Sequence, residues 1–207
     1  MKRDRKTGLI LASSSPRRAQ ILRDAGFSFS VLPAAVDESP LRGESAVQHV
    51  QRLAREKALA TSQRIRGAAV IIGADTVVVV GGKILGKPRS RADARRMLRL
   101  LSGRKHRVLT GLAVLKLVSP SHGRRPHRVG FLRCGVESTA VWFARLTPRE
   151  IADYVASGEP MDKAGAYAIQ GRAGRFITRI DGCYFNVVGL PLARLYSLLS
   201  ETGISRG

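Results

Sequence analysis

At positions 69–82 the sequence reads AVIIGADTVVVVGG, a run rich in β-branched residues. Apolar side chains fill both alternations of this run, which is typical of a central strand that is buried on both faces. The glycine pair at 81 and 82 predicts a tight hairpin turn at its end. Asp75 interrupts the run, and an unpaired carboxylate there would cost several kcal/mol to bury. We therefore expect Asp75 to be paired, to bind a metal ion, or to lie at an exposed end of the strand.

Helices and strands intermix on both sides of this run, which predicts a mixed α/β sheet covered by helices. Phe27, Phe29 and Val31 alternate with serines, which predicts a strand with one buried face. Thr147 and Glu150 form a capping box that begins a helix. The remaining elements are predicted as strands at 8–12, 106–118, 129–146 and 175–180, and as helices from Pro16 and over 45–64, 91–101, 147–158 and 190–199.

The 207 residues suit a single domain, 1–207. A basic extension at 1–7 and a polar Pro/Gly loop at 119–129 are expected to stand apart from it, and the loop is predicted to be flexible. The segment DKAGAYAIQGRAG at 162–174 is too rich in glycine for a regular element.

Lysine and arginine number 36 against 15 aspartate and glutamate, a formal net charge of +21 at pH 7. This charge suits acidic partners. However, the basic residues are spread over nearly every predicted element, and aromatic residues are not interleaved with them as stacking platforms for bases. Nucleic acid is therefore not expected as the primary partner. No apolar run approaches the roughly 18 residues of a membrane span, and the apolar part of the N-terminus, 9–12, is too short for a signal peptide.

Cysteine and histidine give little evidence of chemistry. Cys134 and Cys183 form no CxxC pair, which fits a reducing compartment, and we expect the cytoplasm. The histidines at 49, 106, 122 and 127 lack the spacing of a zinc site or a nucleophilic triad. His106 begins a predicted strand and is expected to be structural.

The sharpest local pattern is SSSPRR at 13–18, between a strand and a helix. Helix N-termini bind anions, because free backbone N–H groups and the positive end of the helix dipole point at the ligand. Ser13 and Ser15 could donate hydroxyl hydrogen bonds there, and Arg17 and Arg18 add charge. A capping serine followed by two solvated arginines is the alternative.

Carboxylates and lysines elsewhere could complete a phosphate site. Asp37 and Glu38 follow the second strand and could join Asp75 in binding Mg²⁺ or Mn²⁺, which prefer such oxygen ligands. Against this, loop carboxylates are usually solvated, and Asp75 could be a structural residue satisfied by backbone N–H groups or an arginine. Lys57, on the helix at 45–64, is a candidate phosphate-binding cation, although a lysine on a helix is more often solvated.

The segment GGKILGKP at 81–88 nearly matches a Walker phosphate-binding loop. Pro88 stands where that loop requires a serine or threonine for Mg²⁺, and a hairpin precedes the motif. The Walker interpretation is therefore rejected, and Lys87 is kept as a candidate phosphate-binding cation.

Seven segments resemble the Maf nucleotide pyrophosphatases: LILASSSPRRAQIL, VDE, LAREKA, GADTVVVVGGKILGKP, LSGRKHRVLTG, YVASGEPMDKAGAYAIQG and VVGLPL. They follow the family's order over nearly the whole chain. The resemblance implies a mixed α/β fold with a long central sheet and a cleft, related to the inosine triphosphate pyrophosphatases, in a protein that forms a homodimer. It also implies hydrolysis of a nucleoside triphosphate substrate to the monophosphate and pyrophosphate.

The resemblance also implies roles for the candidate residues. By motif position, Asp75 resembles the general base for the attacking water and a metal contact, and Glu38 a further ligand of a divalent Mg²⁺ or Mn²⁺. The side chains that would hold the triphosphate are Ser13, Arg17, Arg18, Lys57 and Lys87.

Two segments, GADT at 73–76 and DKAGAYAIQG at 162–171, resemble the branch that acts on dTTP and UTP. The branch that prefers 7-methyl-GTP carries SDQ and lacks the second segment, so 7-methyl-GTP activity is the alternative. Thr76, Gln170 and Arg17 then resemble specificity positions, since the amide of Gln170 offers a donor and an acceptor to a pyrimidine edge. Modified nucleotides such as 5-methyl-UTP and pseudo-UTP are implied as further substrates.

A rival function from another class is a nucleic-acid-associated regulator of cell division, because Maf proteins are linked with septum formation. The positive charge favours it weakly. The 1–7 extension and the 119–129 loop exceed the usual family length and touch no catalytic motif. They could bind RNA or another acidic partner, but we expect both to be solvated decoration.

Overall fold

The computed structural model describes residues 8–118 and 128–202 of the protein. Its strands are β1 (Gly8–Leu11), β2 (Phe29–Val31), β3 (Ala69–Val80), β4 (Lys83–Leu85), β5 (Lys105–Val118), β6 (Arg128–Phe143) and β7 (Ile177–Asp181). Its α-helices are α1 (Pro16–Asp24), α2 (Ala46–Ser62), α3 (Arg91–Leu101), α4 (Pro148–Ala156), α5 (Tyr184–Val188) and α6 (Leu192–Ser200). Short 3₁₀ helices lie at Glu159–Asp162, Ala164–Ala166 and Arg172–Phe176. Within the described ranges, every helix is too short or too polar to cross a bilayer.

The strands form one mixed sheet in the order β2-β1-β3-β5-β6-β7, and β4 pairs with β3. β1 runs parallel to β2 and β3, whereas the neighbours β3, β5, β6 and β7 pair antiparallel. The predicted mixed α/β sheet covered by helices is therefore confirmed. Segment 69–80 lies inside the sheet and is almost entirely buried, as its apolar pattern predicts.

One edge of β3 is shared by two short strands, and the space between them creates a gap. β1 pairs with residues 69–72 of β3, and β4 pairs with residues 78–80. Residues 73–77 therefore have no strand partner on that edge, although they pair with β5 on the other. Asp75 and Thr76 lie in this gap, so the interruption of the apolar run coincides with an opening in the sheet.

Alternation along β3 sends its side chains to two helical layers. Ile71 packs in the layer that contains α2. Ile72 packs in the layer that contains α1 and α6. Because successive side chains of a strand point to opposite faces, Asp75 faces α2 and Thr76 faces α1.

Two glycines let the backbone of α2 rest directly on the sheet. A Cβ on Gly73 would lie 2.0 Å from the carbonyl oxygen of Ala54, and one on Gly111 would lie 2.1 Å from that of Val50. Any side chain at either position would push α2 away. These glycines therefore allow the close approach of α2 to the sheet at β3 and β5.

Two local predictions are confirmed at the ends of elements. Thr147 and Glu150 form both hydrogen bonds of the capping box that begins α4. Gly81 and Gly82 have φ values of +54° and +73° in the turn between β3 and β4. This left-handed backbone is the one that a two-residue hairpin needs and that glycine adopts without strain.

The second strand is shorter and less buried than predicted. β2 covers Phe29–Val31 instead of 27–31, and Val31 is 48% exposed. The prediction that Val31 lies on a buried face is wrong because β2 is an edge strand, with β1 as its sheet neighbour.

Other boundaries also differ from the prediction. β6 ends at Phe143 instead of 146, and β7 begins at Ile177 because residues 172–176 form a 3₁₀ helix. The helix predicted at 190–199 begins at Leu192, after Pro191, and α5 was not predicted at all. Residues 128 and 129 of the predicted loop belong to β6, while 119–127 and the extension 1–7 lie outside the described residues.

Candidate active site

A cleft of about 930 Å³ opens at the gap in the edge of β3. Its volume is in the range of pockets that hold small ligands and cofactors. The turn after β1, the helix α2, the segment after β4, the segment 162–170 and the end of α5 contribute its walls. It is lined by every site residue predicted from the sequence: Ser13, Ser15, Arg17, Arg18, Glu38, Lys57, Asp75, Thr76, Lys87 and Gln170.

Asp75 is paired with a lysine at the floor of this cleft. Lys57 Nζ donates to Asp75 Oδ1 at 2.7 Å and lies 2.5 Å from Glu38 Oε1. The Lys57 and Asp75 side chains are only 10% and 11% exposed, whereas that of Glu38 is 46% exposed. One buried ammonium is thus shared by two carboxylates, instead of the arginine or backbone N–H groups expected around a purely structural aspartate.

Positive charge keeps Glu38 ionised. Partial burial raises its pKa, but the hydrogen bond and charge of Lys57, with the charges of Lys87 and Arg18, outweigh burial and hold the pKa below its usual value. Glu38 and Asp75 thus present carboxylate oxygens around one cation position. Such a pair suits Mg²⁺ or Mn²⁺. The described residues contain no cluster of three or more histidine, cysteine, aspartate or glutamate side chains that could hold a metal ion. Water and phosphate would therefore have to complete the coordination.

Arg18 is buried in the cleft wall and donates from all three guanidinium nitrogens. Nε donates to the Gly189 carbonyl at 2.8 Å, and Nη1 donates to the Ala74 carbonyl at 3.0 Å and to Ser13 Oγ at 3.1 Å. Nη2 donates to Thr76 Oγ1 at 2.9 Å. Ala74 lies in the gap of β3, so Arg18 supplies the donor that a neighbouring strand would have provided. Burial lowers the pKa of Arg18.

The N-terminus of α1 faces the cleft with little internal capping. Ser15 precedes the helix, but its side chain makes no capping hydrogen bond; its backbone N–H donates to Ser13 Oγ at 3.2 Å. The first-turn N–H groups of a helix have no partner within the helix, so they are available to an anion. Arg17, whose side chain is 26% exposed, places Nη1 3.3 Å from Oδ2 of Asp162, and both residues line the cleft.

Lys87 and Gln170 reach the cleft on exposed segments that are tied together. Both side chains are solvent-accessible, as expected of groups that contact a ligand. The backbone N–H of Gly165 donates to the carbonyl of Gly86 at 3.0 Å. The hairpin that carries Lys87 is therefore linked to the segment that carries Gln170.

Several charged residues of the cleft were not predicted from the sequence. Lys163 Nζ donates to Asp162 Oδ1 at 2.5 Å and to the carbonyl of Glu159 at 2.6 Å. Arg89 and Arg96 also line the cleft. Lys163 lies in the quoted DKAGAYAIQG segment, and Arg89 follows GKP by one residue, so proximity to the motifs could have indicated both.

His106 is buried behind the cleft and hydrogen-bonded to a tyrosine. Its Nε2 lies 2.7 Å from the Tyr167 hydroxyl, and its ring meets Phe143 edge-on. Burial lowers the pKa of His106 to about 4, so the ring is neutral near pH 7. This packing agrees with the structural role expected from the sequence.

Comparison with known proteins identifies the family. The family model described as Maf-like protein matches residues 8–202. The chain belongs to this family. The Maf-like chain is 52% identical to the dTTP/UTP pyrophosphatase of Geobacillus sp., over 94% of this chain and 98% of the relative. It is 50% identical to that of Symbiobacterium thermophilum over 94% of each chain, and 47% identical to that of Vibrio cholerae over 93% and 97%.

Solved structures give weaker matches to this Maf-like protein. The Staphylococcus aureus Ham1 protein is 12% identical, with a TM-score of 0.46 over 95% of this chain and 100% of that chain. A nucleoside-triphosphatase, named as a dITP/XTP pyrophosphatase, from Mycobacterium abscessus is 17% identical, with a TM-score of 0.36 over 68% and 76%. Nothing about the site follows from similarity at this level.

Proposed function

We propose that this Maf-like protein is a nucleoside triphosphate pyrophosphatase that hydrolyses dTTP and UTP, and modified pyrimidine triphosphates, to the monophosphate and pyrophosphate. One observation carries the proposal: a single shielded carboxylate, Asp75, is held by Lys57 in a cleft lined with cations. Relatives named dTTP/UTP pyrophosphatase support the substrate class, because they are 45–52% identical over 93–96% of the chain.

In this proposal Asp75 is the general base. Lys57 binds Oδ1 of its carboxylate and fixes its orientation, which leaves Oδ2 for a water molecule in the cleft. Asp75 takes a proton from that water as the water oxygen attacks the α-phosphorus. The bond between the α-phosphorus and the bridging oxygen to the β-phosphate breaks, and pyrophosphate leaves with the bonding electrons.

Cations and backbone dipoles hold the triphosphate and stabilise the charge that develops on pyrophosphate. Arg17 and Lys87 are accessible to the phosphates, and the N-terminus of α1 at Ser15 offers free N–H groups. Arg18 contributes its charge from within the wall, because most of its donors are engaged with protein oxygens. Ser13 helps to hold Arg18 in that position.

A divalent metal ion, Mg²⁺ or Mn²⁺, belongs to the proposed reaction. Glu38 and Asp75 would hold it together with the nucleotide phosphates, through the carboxylate lone pairs that Lys57 leaves free. When bound, such an ion neutralises phosphate charge as a Lewis acid.

The base of the nucleotide is proposed to lie toward the apolar end of the cleft. Ile169 and Val188 belong to one apolar cluster and line the cleft, as do Thr76 and Gln170. The exposed amide of Gln170 can donate to and accept from a pyrimidine edge. Arg17, close to Asp162 of the same segment, would link the base region to the phosphates.

We also propose that the enzyme is a single-domain homodimer in the cytoplasm. The family match over residues 8–202 supports one domain. The family resemblance supports the homodimer, and the free thiols of Cys134 and Cys183 fit a reducing compartment.

The test is pyrophosphate release from dTTP, UTP, CTP, 5-methyl-UTP, GTP and 7-methyl-GTP with Mg²⁺ or Mn²⁺. We expect pyrophosphate, and not single phosphate, from the uracil and thymine nucleotides. An Asp75→Asn preparation, purified in parallel, measures turnover by contaminating phosphatases.

Other outcomes would redirect the proposal. Activity confined to 7-methyl-GTP would overturn the specificity assigned to Thr76 and Gln170. Absence of turnover with every nucleotide, together with salt-sensitive RNA or DNA binding that Asp75→Asn retains, would favour the nucleic-acid-associated function.

A further inference from the structure

A chain of hydroxyl groups leads from the cleft into the sheet. Thr76 Oγ1 lies 2.9 Å from Thr110 Oγ1 on β5, and Thr110 Oγ1 lies 3.1 Å from the backbone oxygen of Asn186 on α5. Thr110 and Asn186 are fully buried and do not line the cleft. The mechanism above therefore gives Thr110 and Asn186 no role.

The protons in this chain can have only one arrangement. A carbonyl oxygen only accepts, so Thr110 donates its single hydroxyl proton to the oxygen of Asn186. Thr110 can then only accept from Thr76, which must donate its own proton to Thr110. Arg18 Nη2 donates to Thr76 Oγ1 and occupies one of its lone pairs. Thr76 thus retains one acceptor lone pair and has no proton to offer the cleft.

The backbone oxygen of Asn186 is available to Thr110 because the last turn of α5 is widened. The N–H of Gly189 donates to the carbonyl of Phe185, four residues before it, at 3.0 Å, as in a regular α-helix. The N–H of Leu190 would bond to the carbonyl of Asn186 in a regular helix, but it donates to that of Phe185, five residues before it, at 2.9 Å. The next carbonyl, that of Asn186, accepts the hydroxyl of Thr110 instead.

The side chain of Asn186 fixes the position of that oxygen. Its Nδ2 donates to the Val108 carbonyl and to Thr139 Oγ1, each at 2.9 Å. Because Val108 O only accepts, the amide cannot be turned the other way. Its Oδ1 is buried without a hydrogen-bond partner among residues 8–118 and 128–202. An unsatisfied buried oxygen is costly to stability.

Gly189 leaves the Thr76 hydroxyl uncovered. A Cβ at position 189 would lie 3.5 Å from Thr76 Oγ1, in contact with the hydroxyl that faces the cleft. The φ of Gly189 is +121°, a conformation that side-chain-bearing residues rarely adopt. The remaining lone pair of Thr76 is therefore open to a bound ligand.

We propose that Thr110 and Asn186 are positioning residues that fix the Thr76 hydroxyl as a hydrogen-bond acceptor, and that this polarity selects the imide N3–H of uracil and thymine over cytosine. The inference rests on the proposed function. Uracil and thymine carry a proton on N3, whereas N3 of cytosine is an acceptor. If cytosine bound at the same position, the lone pair on its N3 would face the lone pair of Thr76 Oγ1, with no proton between them.

The experiment compares kcat/KM for UTP and CTP in the wild type, Thr110→Val and Thr110→Ser. Valine has nearly the shape of threonine but no hydroxyl, so Thr76 becomes free to turn its proton toward the cleft. We expect the UTP-over-CTP ratio to fall at least about tenfold in Thr110→Val, the effect of one mispaired hydrogen bond. Thr110→Ser keeps the hydroxyl and should hold the ratio within about twofold of wild type. If Thr110 acted only on stability, its replacement would change kcat/KM for UTP and CTP by the same factor.

A substrate-side arm keeps the test valid if Thr110→Val fails to fold. Wild-type protein should cleave 3-methyl-UTP, which lacks the N3 proton, at least about tenfold less efficiently than UTP. It should cleave 5-methyl-UTP, with the same methyl group elsewhere on the ring, nearly as well as UTP.

The outcomes separate this inference from the function on which it rests. Absence of pyrophosphate release from UTP would remove the proposed function itself. Efficient UTP cleavage with equal use of CTP or 3-methyl-UTP by wild type, or an unchanged ratio in folded Thr110→Val, would overturn only the role of Thr110 and Asn186.

Discussion

Helix α2 carries two ionic clusters that are built differently. In one, Arg52 meets Glu44 through two hydrogen bonds, Nε to Oε1 at 2.6 Å and Nη2 to Oε2 at 2.9 Å. His49 and the backbone N–H of Leu41 also contact Glu44 Oε2, at 3.0 and 3.1 Å. In the other, the ammonium of Lys57 is shared between Asp75 and Glu38 at the floor of the cleft.

The difference lies in what each cluster leaves available. The planar guanidinium of Arg52 matches both oxygens of one carboxylate, and further donors complete the set, so the Glu44 cluster has little capacity for a ligand. A lysine is a point charge and engages only one oxygen of each carboxylate. The Lys57 cluster therefore keeps acceptor capacity that faces a cleft. We expect the first cluster to support stability and the second to support chemistry.

The largest expected effect comes from removing the carboxylate of the open cluster. Asp75→Asn keeps the size of the side chain and should lower kcat for UTP by about 10³-fold, within the range for loss of a general base. Lys57 still has Glu38 as a partner, so we expect the melting temperature to change little. Turnover by stopped assay and melting by circular dichroism are the two readouts. Loss of the folded state in this variant would instead assign Asp75 a structural role.

The closed cluster should give the opposite pattern. Glu44→Gln removes the charge that pairs with Arg52 and should lower the free energy of unfolding by about 2 kcal/mol, the scale of hydrogen bonds to charged groups. Activity with UTP should stay within about twofold of wild type, because neither Glu44 nor Arg52 lines the cleft. Urea denaturation of both proteins measures the difference, and a large loss of kcat/KM would contradict the separation of roles.

The same pair of proteins carries a pH dependence with a defined sign. Hydrogen bonds from Arg52, Leu41 and His49 lower the pKa of Glu44 from 4.5 to about 2. The stability that wild type gains over Glu44→Gln is therefore fully present above pH 4.5. It should shrink as the pH falls through about 2, where the folded carboxylate takes up its proton. A difference that grows with acidity would contradict the assignment.

The smallest expected effect tests the geometry of the guanidinium. Arg52→Lys keeps the charge but loses the paired contact with Glu44, and it should lower the free energy of unfolding by about 1 kcal/mol. Arg91→Lys, at an exposed position on α3, is the matched control and should change it by less than about 0.5 kcal/mol. Equal values for the two variants would remove the contrast between arginine and lysine.

Elements with strong local patterns could be predicted, and those set by tertiary contacts could not. The run at 69–80 and the capping box at Thr147 gave the correct element types because periodicity and side-chain capping act locally. Helix α5, Tyr184–Val188, has only five residues, too few for a helical period to stand out. Val31 is exposed because β2 lies at the sheet edge, and the sequence of the strand carries no information about that position.

The site was predicted as a set of residues but not as an arrangement. A buried carboxylate at Asp75 indicated that a partner must exist. Its partner, Lys57, is 18 positions away in the sequence and reaches Asp75 only because α2 crosses β3. Arg17 and Arg18 look equivalent in SSSPRR, but successive helical residues point in different directions, and only Arg18 turns into the wall. The Thr110 link depends on strand register, which places it opposite Thr76.

The contact of α2 with the sheet has a consequence for how this protein can vary. Because the helix rests on main-chain atoms at Gly73 of β3 and Gly111 of β5, backbone contact at these two positions limits how closely it approaches the sheet. Conservative exchanges of apolar residues elsewhere in that layer should therefore leave the separation of Lys57 and Asp75 nearly unchanged. The relative position of Lys57 and Asp75 therefore tolerates changes in the surrounding core, as long as positions 73 and 111 remain glycine.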